Sequence, residues 1–257
     1  MTERTPSAIN EKEIHVLSPE SESKSISVRE GYDRWAQIYD LAPNPVLALE
    51  ERYLKNIVPE LVGKSALDLA CGTGRWIPRL LAQGAHRVNG IDLSAGMLRV
   101  AGNKAGIRDH LVLGDCTQLP FPRAAFDFAL CSFALNHLAN LEAVVRELAR
   151  TLNECSQLIV TEMHPKAYDR GWRPGFRDDR GTAQIETVRR SAERVVATFR
   201  DNGFVCLQEH DVFFGEAEFS IFSAAGKSSF FKDACELPAV KVWEFQKLEN
   251  RTAASMI

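Results

Sequence analysis

The sequence predicts an α/β fold with a mostly parallel sheet and helices on both of its faces. Short apolar runs alternate with amphipathic helical spacing along most of the 257 residues, as expected for strands joined by crossover helices. The first clear run, 66–70, stops at Gly72 and Gly74, after which helical spacing begins. With 45% hydrophobic residues, the chain can bury one large core, so we expect a single α/β domain.

The composition argues against several classes of partner. The net charge is -3, so no basic surplus favours nucleic acid or an anionic membrane. Neither a signal-peptide core nor an apolar run long enough to span a bilayer is present. We expect reduced thiols and no metal, because the cysteines lack the close spacing of a zinc site or a redox pair. The sequence therefore predicts a cytoplasmic protein that binds neither nucleic acid nor membranes, and it leaves the oligomeric state open.

The first 58 residues differ in character from the rest of the chain. Residues 1–26 are rich in Ser, Glu, Lys and Thr, which predicts a flexible tail. The predicted domain, 27–257, begins with a helical cap over 27–58. Trp35 and Tyr39 belong to an aromatic stripe at helical spacing in this cap. The stripe either packs on the core or closes over a pocket.

The run 66–70 and its glycines predict a strand, a tight turn and a helix. Gly72 and Gly74 allow a sharp turn and the close approach of a ligand, and the helix start offers free N–H groups to polar ligands. An ordinary strand-to-helix turn has the same pattern, but Asp68 places a costly carboxylate in an apolar strand end. The dinucleotide fingerprint Gly-x-Gly-x-x-Gly fails, because Ile77 stands three residues after Gly74.

Three segments resemble the motifs of the class I S-adenosylmethionine-dependent methyltransferases of the small-molecule type. They are Asp68-Leu-Ala-Cys-Gly72-Thr-Gly74, Gly90-Ile-Asp92-Leu-Ser-Ala-Gly-Met-Leu98 and Gly114-Asp115-Cys116-Thr-Gln-Leu-Pro-Phe121. The resemblance covers about residues 32–247 and implies S-adenosyl-L-methionine as cofactor, with a Rossmann-like sheet of seven strands, the last antiparallel. It also implies a set of cofactor-binding residues: Tyr39, Asp68, Ala70 (in place of the first glycine of the motif), Gly72, Gly74, Asp92, Leu93, Met97, Asp115, Cys116 and Ser132.

Two acids at predicted strand ends suit such a cofactor. The spacing from Asp68 to Asp92 fits one strand–helix–strand unit, and a carboxylate at that second end can accept hydrogen bonds from two ribose hydroxyls. Asp115, after the third strand, can accept from the adenine amine, while the N–H of Cys116 can donate to a ring nitrogen. Met97 lies either near the adenine or in the core.

The exits of the fourth and fifth strands predict where the acceptor is methylated. The fourth strand, 126–133, is nearly all apolar, as a central strand buried on both faces should be, and 157–161 is the fifth. A general base is needed only if the acceptor loses a proton, and the candidates are His137, Glu162 and His164. His137 is either such a base or a packed neighbour of its turn.

A long segment after the fifth strand, 164–182, predicts a lid or, equally, a solvated connection. Its Trp172 and Arg173 are predicted substrate contacts together with Trp35 and His137. Apolar anchors and a planar cation suit an acceptor that carries a carboxylate or a phenolate.

The last third of the chain completes the predicted sheet. Apolar spacing predicts a helix over 185–199, and the segments 204–214 and 240–245 predict the last two strands. The insert 220–239 gives no clear pattern.

The favoured function is methyl transfer from S-adenosylmethionine to a small-molecule acceptor. A non-catalytic S-adenosylmethionine- or S-adenosylhomocysteine-binding regulatory protein is the first alternative, because cofactor motifs alone do not separate it from an enzyme. A protein- or RNA-directed methyltransferase is the second. The acidic balance and the absence of an Asn/Asp-Pro-Pro-Tyr/Phe motif disfavour it.

Overall fold

The structure, a computed structural model, describes residues 24–249. Its strands are β1 (Lys24–Ile26), β2 (Ser65–Leu69), β3 (Arg87–Asp92), β4 (Leu111–Leu113), β5 (Phe126–Ser132), β6 (Leu152–Met163), β7 (Gly175–Asp178), β8 (Gly181–Ile185), β9 (Phe204–Val212) and β10 (Val240–Lys247). Its α-helices are α1 (Val28–Tyr39), α2 (Pro45–Leu54), α3 (Ile77–Ala82), α4 (Ala95–Gly102), α5 (Leu141–Thr151), α6 (Pro165–Asp169), α7 (Ala192–Asp201), α8 (Phe219–Ala224) and α9 (Phe231–Cys235).

A seven-stranded sheet forms the centre of the molecule, in the order β4-β3-β2-β5-β6-β10-β9. The strands from β4 to β6 are parallel neighbours, and β10 runs antiparallel to both β6 and β9. This confirms the predicted Rossmann-like sheet with its antiparallel last strand. The parallel strands all end at one edge of the sheet. From β2, the chain adds β3 and β4 on one side and then β5 and β6 on the other, so the strand order reverses between β2 and β5. Ligands of open α/β sheets bind at the carboxyl edge beside such a reversal.

Helices cover both faces of this sheet. On one face, side chains of α2, α3, α4, α8 and α9 pack with those of the strands in one buried cluster. On the other face, α5 and α7 pack on a second cluster. Neighbouring residues of a strand point to opposite faces: Ala66 belongs to the first cluster and Leu67 to the second, and neither is exposed. Burial on both faces explains why these strands are continuous apolar runs.

A second, three-stranded sheet in the order β1-β8-β7 packs against α1. Ile26 of β1 and Ile185 of β8 are buried in its interface with α1. Arg34 of α1 forms a two-pronged ion pair with Asp178 of β7, with Nε–Oδ2 and Nη2–Oδ1 distances of 3.0 and 2.9 Å. This small sheet holds α1 over the carboxyl edge of the main sheet.

The small sheet corrects three expectations. The tail assigned to 1–26 ends earlier, because 24–26 form β1; the rest of that tail lies outside the described residues. The segment 164–182 is no open loop but contains α6, β7 and the start of β8. The helix predicted over 185–199 begins only at Ala192, because Ile185 pairs with Ile26 in the small sheet and Ser191 caps α7 by accepting from Arg194 N.

Other boundaries agree more closely with the sequence. The predicted cap contains α1 and α2, and the insert 220–239 contains most of α8 and all of α9. β6 begins at Leu152, five positions before the predicted strand, and continues to Met163. Across the part of the chain that the structure describes, no helix is long and apolar enough to cross a membrane.

Candidate cofactor and acceptor sites

A cavity of about 160 Å³ lies at the carboxyl edge of the main sheet, over the ends of β2, β3 and β5; we call it the edge cavity. Ten of the eleven residues predicted to bind the cofactor line it: Tyr39, Asp68, Ala70, Gly72, Asp92, Leu93, Met97, Asp115, Cys116 and Ser132. The structure thus gathers residues that are far apart in sequence. The exception, Gly74, does not line the cavity.

The two glycines of the loop after β2 have different roles. Ala70, Gly72 and Gly74 have positive φ angles of 54°, 56° and 72°, a region that glycine enters without steric cost. A Cβ atom on Gly72 would meet no atom within 4 Å, because this residue faces the edge cavity, whereas on Gly74 it would come within 2.7 Å of Cδ1 of Ile107. Gly72 therefore keeps space free for a ligand, and Gly74 allows close packing behind the loop.

Asp92, at the end of β3, is held in place by backbone donors. Its Oδ2 accepts from Gly72 N and its Oδ1 from Ser94 N, both at 2.8 Å. A carboxylate has about four acceptor sites, so each oxygen keeps capacity for a further donor. Burial raises its pKa, and the bonds from Ser94 and Gly72 oppose that shift. The group is oriented to accept from two neighbouring hydroxyls.

Asp68 is a buried carboxyl group in this cavity whose hydrogen bonding is incomplete. It is only 1% exposed, and among the described residues its Oδ2 has no hydrogen-bond partner. Burial raises its pKa to about 8, although Arg75 nearby favours the charged form. A buried acceptor without a partner is costly, and a ligand ammonium group in the cavity would satisfy it.

The opposite end of the edge cavity combines apolar and polar groups. Met97 is 1% exposed and Leu93 39%, so the first belongs to the floor and the second to the rim. Asp115 turns the chain by accepting from Thr117 N and Oγ1 through its Oδ1, at 2.7 and 2.8 Å. Its other oxygen and the N–H of Cys116 suit a flat heterocycle with polar edges.

A buried network beside Asp68 was missed at the sequence level. Glu50 of α2 is fully buried, and its Oε1 accepts from Ser132 Oγ and Thr161 Oγ1, both at 2.6 Å. Its Oε2 accepts from Arg75 Nη2, and Arg75 lines the edge cavity. Glu50 has helical spacing with Leu47 and Leu54 and so lies on the apolar side of α2. A carboxylate among apolar positions of a helix is the sequence signal that could have identified this network.

A smaller cavity of about 80 Å³ adjoins the first; we call it the aromatic cavity. Four residues line both cavities: Tyr32, Tyr39, Phe133 and His137. Trp35 also lines the aromatic cavity and stacks on Phe176 of the small sheet at 5.4 Å. A ligand in one cavity would thus lie beside a ligand in the other, along a wall of rings that both cavities share.

The tautomer of His137 follows from its two partners. Its Nδ1 lies 3.1 Å from the Glu186 carbonyl oxygen, so Nδ1 carries the proton. Its Nε2, 3.0 Å from the Tyr32 hydroxyl, therefore accepts, and Tyr32 donates. Burial lowers the pKa of His137 to about 4 and raises that of Tyr32, so both are neutral near pH 7. Tyr32 belongs to the same stripe as Trp35 and Tyr39, but its pairing with His137 has no sequence signal.

Comparison with known proteins agrees with this geometry. Residues 66–154 match the family model described as a methyltransferase domain. A demethylmenaquinone methyltransferase from Tropheryma whipplei is 30% identical over 164 residues, covering 60% of this chain and 67% of that protein. The chain belongs to the class I S-adenosylmethionine-dependent methyltransferases. S-adenosyl-L-methionine is its cofactor.

Two further comparisons mark the extent of the likeness. A demethylmenaquinone methyltransferase from Mycobacterium bovis is 38% identical over 136 residues, which cover 51% of this chain and 56% of that protein. An S-adenosylmethionine-dependent methyltransferase structure from Mesorhizobium loti superposes with a TM-score of 0.61 at 18% identity, covering 79% of this chain and all of the other. The second likeness shows the fold alone.

Two predicted site residues of the methyltransferase lie away from both cavities. The Trp172 ring packs 6.0 Å from that of Phe214, against buried core residues. His164 caps α6, with Nδ1 accepting from Lys166 N at 3.1 Å and Nε2 3.3 Å from Asp211 Oδ1. The side chains that follow a strand end can turn to either face of the sheet, which the sequence does not specify.

The other acceptor-site candidates do line the aromatic cavity. Arg173 is one of its walls, with Nη1 donating to the carbonyl oxygens of Tyr168 and Trp172 at 2.6 and 2.7 Å. Glu162 is another wall and is only 5% exposed. Burial raises the pKa of Glu162 to about 7, against the bonds from Asn136 and Met163 that favour its charged form.

Proposed function

We propose that this methyltransferase acts on a small, planar aromatic acceptor that carries a hydroxyl group, such as a hydroquinone. The carrying observation is the aromatic cavity, which shares a wall with the edge cavity and is bounded by Tyr32, Trp35, Tyr39 and Phe133. Aromatic rings bind planar rings by stacking and edge contacts. The names of the two relatives, which refer to demethylmenaquinone, support an acceptor of this class.

The edge cavity would hold the cofactor, which supplies a methyl group on a positively charged sulfur when bound. Asp92 would accept from the ribose hydroxyls. Asp68 would face the ammonium group and Arg75 the carboxylate of the methionine part, because these opposite charges lie close together in the cavity. At the other end, Asp115 and the N–H of Cys116 would bind the adenine edge.

The shared wall would position the acceptor. Tyr39 and Tyr32 stay protonated near neutral pH, because burial raises the pKa of both phenols, that of Tyr39 to about 12. They can therefore orient a ligand hydroxyl without carrying charge. Holding the acceptor in line with the methyl group supplies much of the rate in such a transfer.

A small cavity also distinguishes this proposal from a protein- or RNA-directed enzyme. The aromatic cavity lies between α1, α2 and the segment after β6, and its volume of about 80 Å³ suits a small acceptor better than a segment of a polymer. Net charge -3 gives no general attraction to RNA.

The test is turnover with defined acceptors. We expect S-adenosylhomocysteine release and a methylated product, detected by mass spectrometry, with reduced 2-prenyl-1,4-naphthoquinone or a simpler naphthol. An aliphatic amine such as ethanolamine is the comparison acceptor. Turnover of the amine without turnover of either aromatic hydroxyl compound would contradict the proposal.

A further inference from the structure

Glu162 stands in a wall between two cavities. One is the aromatic cavity. The other, about 350 Å³, lies beside the start of α7, and we call it the α7 cavity. Its rim includes Arg189, whose side chain is 50% exposed, and the exposed Ser191. A carboxyl group at this position can exchange a proton with a ligand on one side and with water on the other.

The carboxyl group is fixed by backbone donors. Asn136 N donates to Oε2 and Met163 N to Oε1, both at 2.9 Å. One bond per oxygen leaves further acceptor sites on each, so the group can still accept from a ligand. Fixing both oxygens removes rotational freedom, which is what preorganises a catalytic group.

The two other candidate bases are already engaged. His137 has Nδ1–H on a carbonyl and its Nε2 lone pair on the Tyr32 hydroxyl. His164 has its nitrogens on Lys166 N and Asp211 and lines neither cavity. Glu162 is thus the candidate that both reaches the aromatic cavity and retains free acceptor sites.

Building on the proposed function, we propose that Glu162 is the general base of the reaction and that the α7 cavity returns its proton to solvent. The acceptor O–H bond breaks, and its proton moves to a carboxylate oxygen of Glu162. The electron pair stays on the acceptor oxygen, which forms the new bond to the methyl carbon, while the electrons of the carbon–sulfur bond leave with the sulfur. The protonated carboxyl then loses its proton to water in the α7 cavity.

The charges around Glu162 are compatible with this role. Burial is the main cause that raises its pKa to about 7, and Arg190 opposes it. A base with a pKa near the working pH is the most effective. The titratable or charged groups around it also include Tyr32 of α1, Tyr168 of α6, Cys131 of β5, Arg189 before α7 and Lys241 opposite it on β10. Tyr39, His137 and Arg173 line the same aromatic cavity, and Arg173 donates to two backbone carbonyl oxygens. Arg189 and Lys241 are themselves paired with carboxylates.

A binding experiment without turnover tests the proton transfer. The probe is 4-methoxy-1-naphthol, whose absorbance distinguishes the neutral naphthol from the naphtholate. It is added to the full chain saturated with sinefungin, an unreactive cofactor analogue with an amine in place of the sulfonium. We expect the parent protein to bind naphtholate increasingly as the pH rises through about 7, and Glu162→Gln to bind the neutral naphthol.

Two further variants keep the result interpretable. Glu162→Asp retains a shorter carboxylate and should give an intermediate naphtholate signal, which also covers the case that Glu162→Gln does not fold. Glu142→Gln makes the same chemical change at an exposed carboxylate of α5, paired with Arg146, and should match the parent. With a turnover acceptor, kcat of Glu162→Gln should fall ~100-fold or more with cofactor affinity unchanged.

The outcomes separate the two proposals. If the parent methylates an aromatic hydroxyl compound but binds the naphthol only in its neutral form, Glu162 is not the base and the acceptor class stands. If Glu162→Gln keeps the parent's naphtholate signal, the assignment of the base is likewise wrong. If the parent neither binds nor methylates any aromatic hydroxyl compound, the acceptor class is wrong and the role of Glu162 falls with it.

Discussion

At the scale of single residues, the edge cavity is built by atoms that a ligand must complete. Gly72 leaves open space where any other residue would place a Cβ, and Asp68 leaves an acceptor without a partner in the described chain. Ala70 occupies the left-handed region at φ 54° without being glycine, which costs roughly 1 kcal/mol. The same kinds of cost also occur elsewhere in the main sheet, at Cys155 with φ 60° and at Trp243 Nε1, which lacks a hydrogen-bond partner in the described chain. At the edge cavity the two costs and the open space at Gly72 occur together, as is common where function requires them.

Gly72→Val should weaken cofactor binding in a folded protein. The side chain would enter the edge cavity, and overpacking of ~1–3 kcal/mol corresponds to about 5- to 150-fold weaker binding. Isothermal titration with S-adenosylhomocysteine measures the affinity. Gly63→Val is the matched control, because Gly63 also has positive φ and open space around its Cβ position but lies outside the cavity. Equal affinity in Gly72→Val and the parent would place the ligand elsewhere.

At the scale of elements, the main sheet was predictable and the small sheet was not. The buried strands of the main sheet are largely apolar runs, so local sequence identifies them. β1, β7 and β8 have only three to five residues. β7 and β8 form a short hairpin, but β1 pairs with β8 from far away in the sequence, with Lys24 opposite Ala183, which no local pattern encodes. Ile185 and Val188 have the same helical spacing as the apolar residues of α7, but they precede that helix. Ile185 is buried because it belongs to the small sheet.

The site was predictable to the same extent as the main sheet. Asp68 and Asp92 lie in the last two positions of β2 and β3, and Asp115 follows β4; they were identified because strand ends share one edge. The contact between Tyr32 and His137 joins α1 to the turn after β5, and it depends on how α1 docks. Such contacts between distant elements are a property of tertiary packing and have no sequence period.

The docking of α1 depends on Asp33, and we expect Asp33→Ala to loosen this helix. Asp33 Oδ1 accepts from Ser94 Oγ and Gly96 N at 2.6 and 2.8 Å, which ties α1 to the start of α4. The loss should cost ~0.5–1.5 kcal/mol, discounted because Asp33 is exposed. Hydrogen exchange should then show faster opening of α1 amides, with α5 unchanged.

Glu30→Ala provides the control for this prediction on the same helix. Glu30 is exposed and forms only a 3.8 Å pair with Arg34, so its loss should leave α1 exchange near the parent rate. Asp33→Asn keeps an acceptor oxygen, so its α1 exchange rate should lie between those of Asp33→Ala and Glu30→Ala. Unchanged α1 exchange in Asp33→Ala would mean that the small sheet alone holds the helix.

At the scale of the whole molecule, the buried carboxyls of the site lower the stability of the unliganded protein. Burial raises the pKa of three carboxyls at the carboxyl edge, those of Asp92, Asp68 and Glu162, and the shift is large for two of them, to about 8 for Asp68 and about 7 for Glu162. In the unfolded chain all three ionise near pH 4. Above that pH the folded state therefore binds more protons than the unfolded state. Function and stability thus oppose each other in the proposed cofactor site, where the charged form of Asp68 would face the ammonium group.

The stability of the unliganded protein should fall by roughly 1 kcal/mol between pH 7 and pH 8. In this range folded Asp68 and Glu162 still hold protons that the unfolded chain has released, so the free energy of unfolding decreases as pH rises. His137, with a pKa lowered to about 4, is neutral when folded and mostly neutral when unfolded here, so its opposite contribution is small. Urea titrations at intermediate pH values measure the slope. Asp68→Asn should lose more than half of this slope, and saturating S-adenosylhomocysteine should flatten it if its ammonium group binds Asp68. A parent protein whose stability stays constant or rises over this range would show that neither carboxyl is protonated in the folded state.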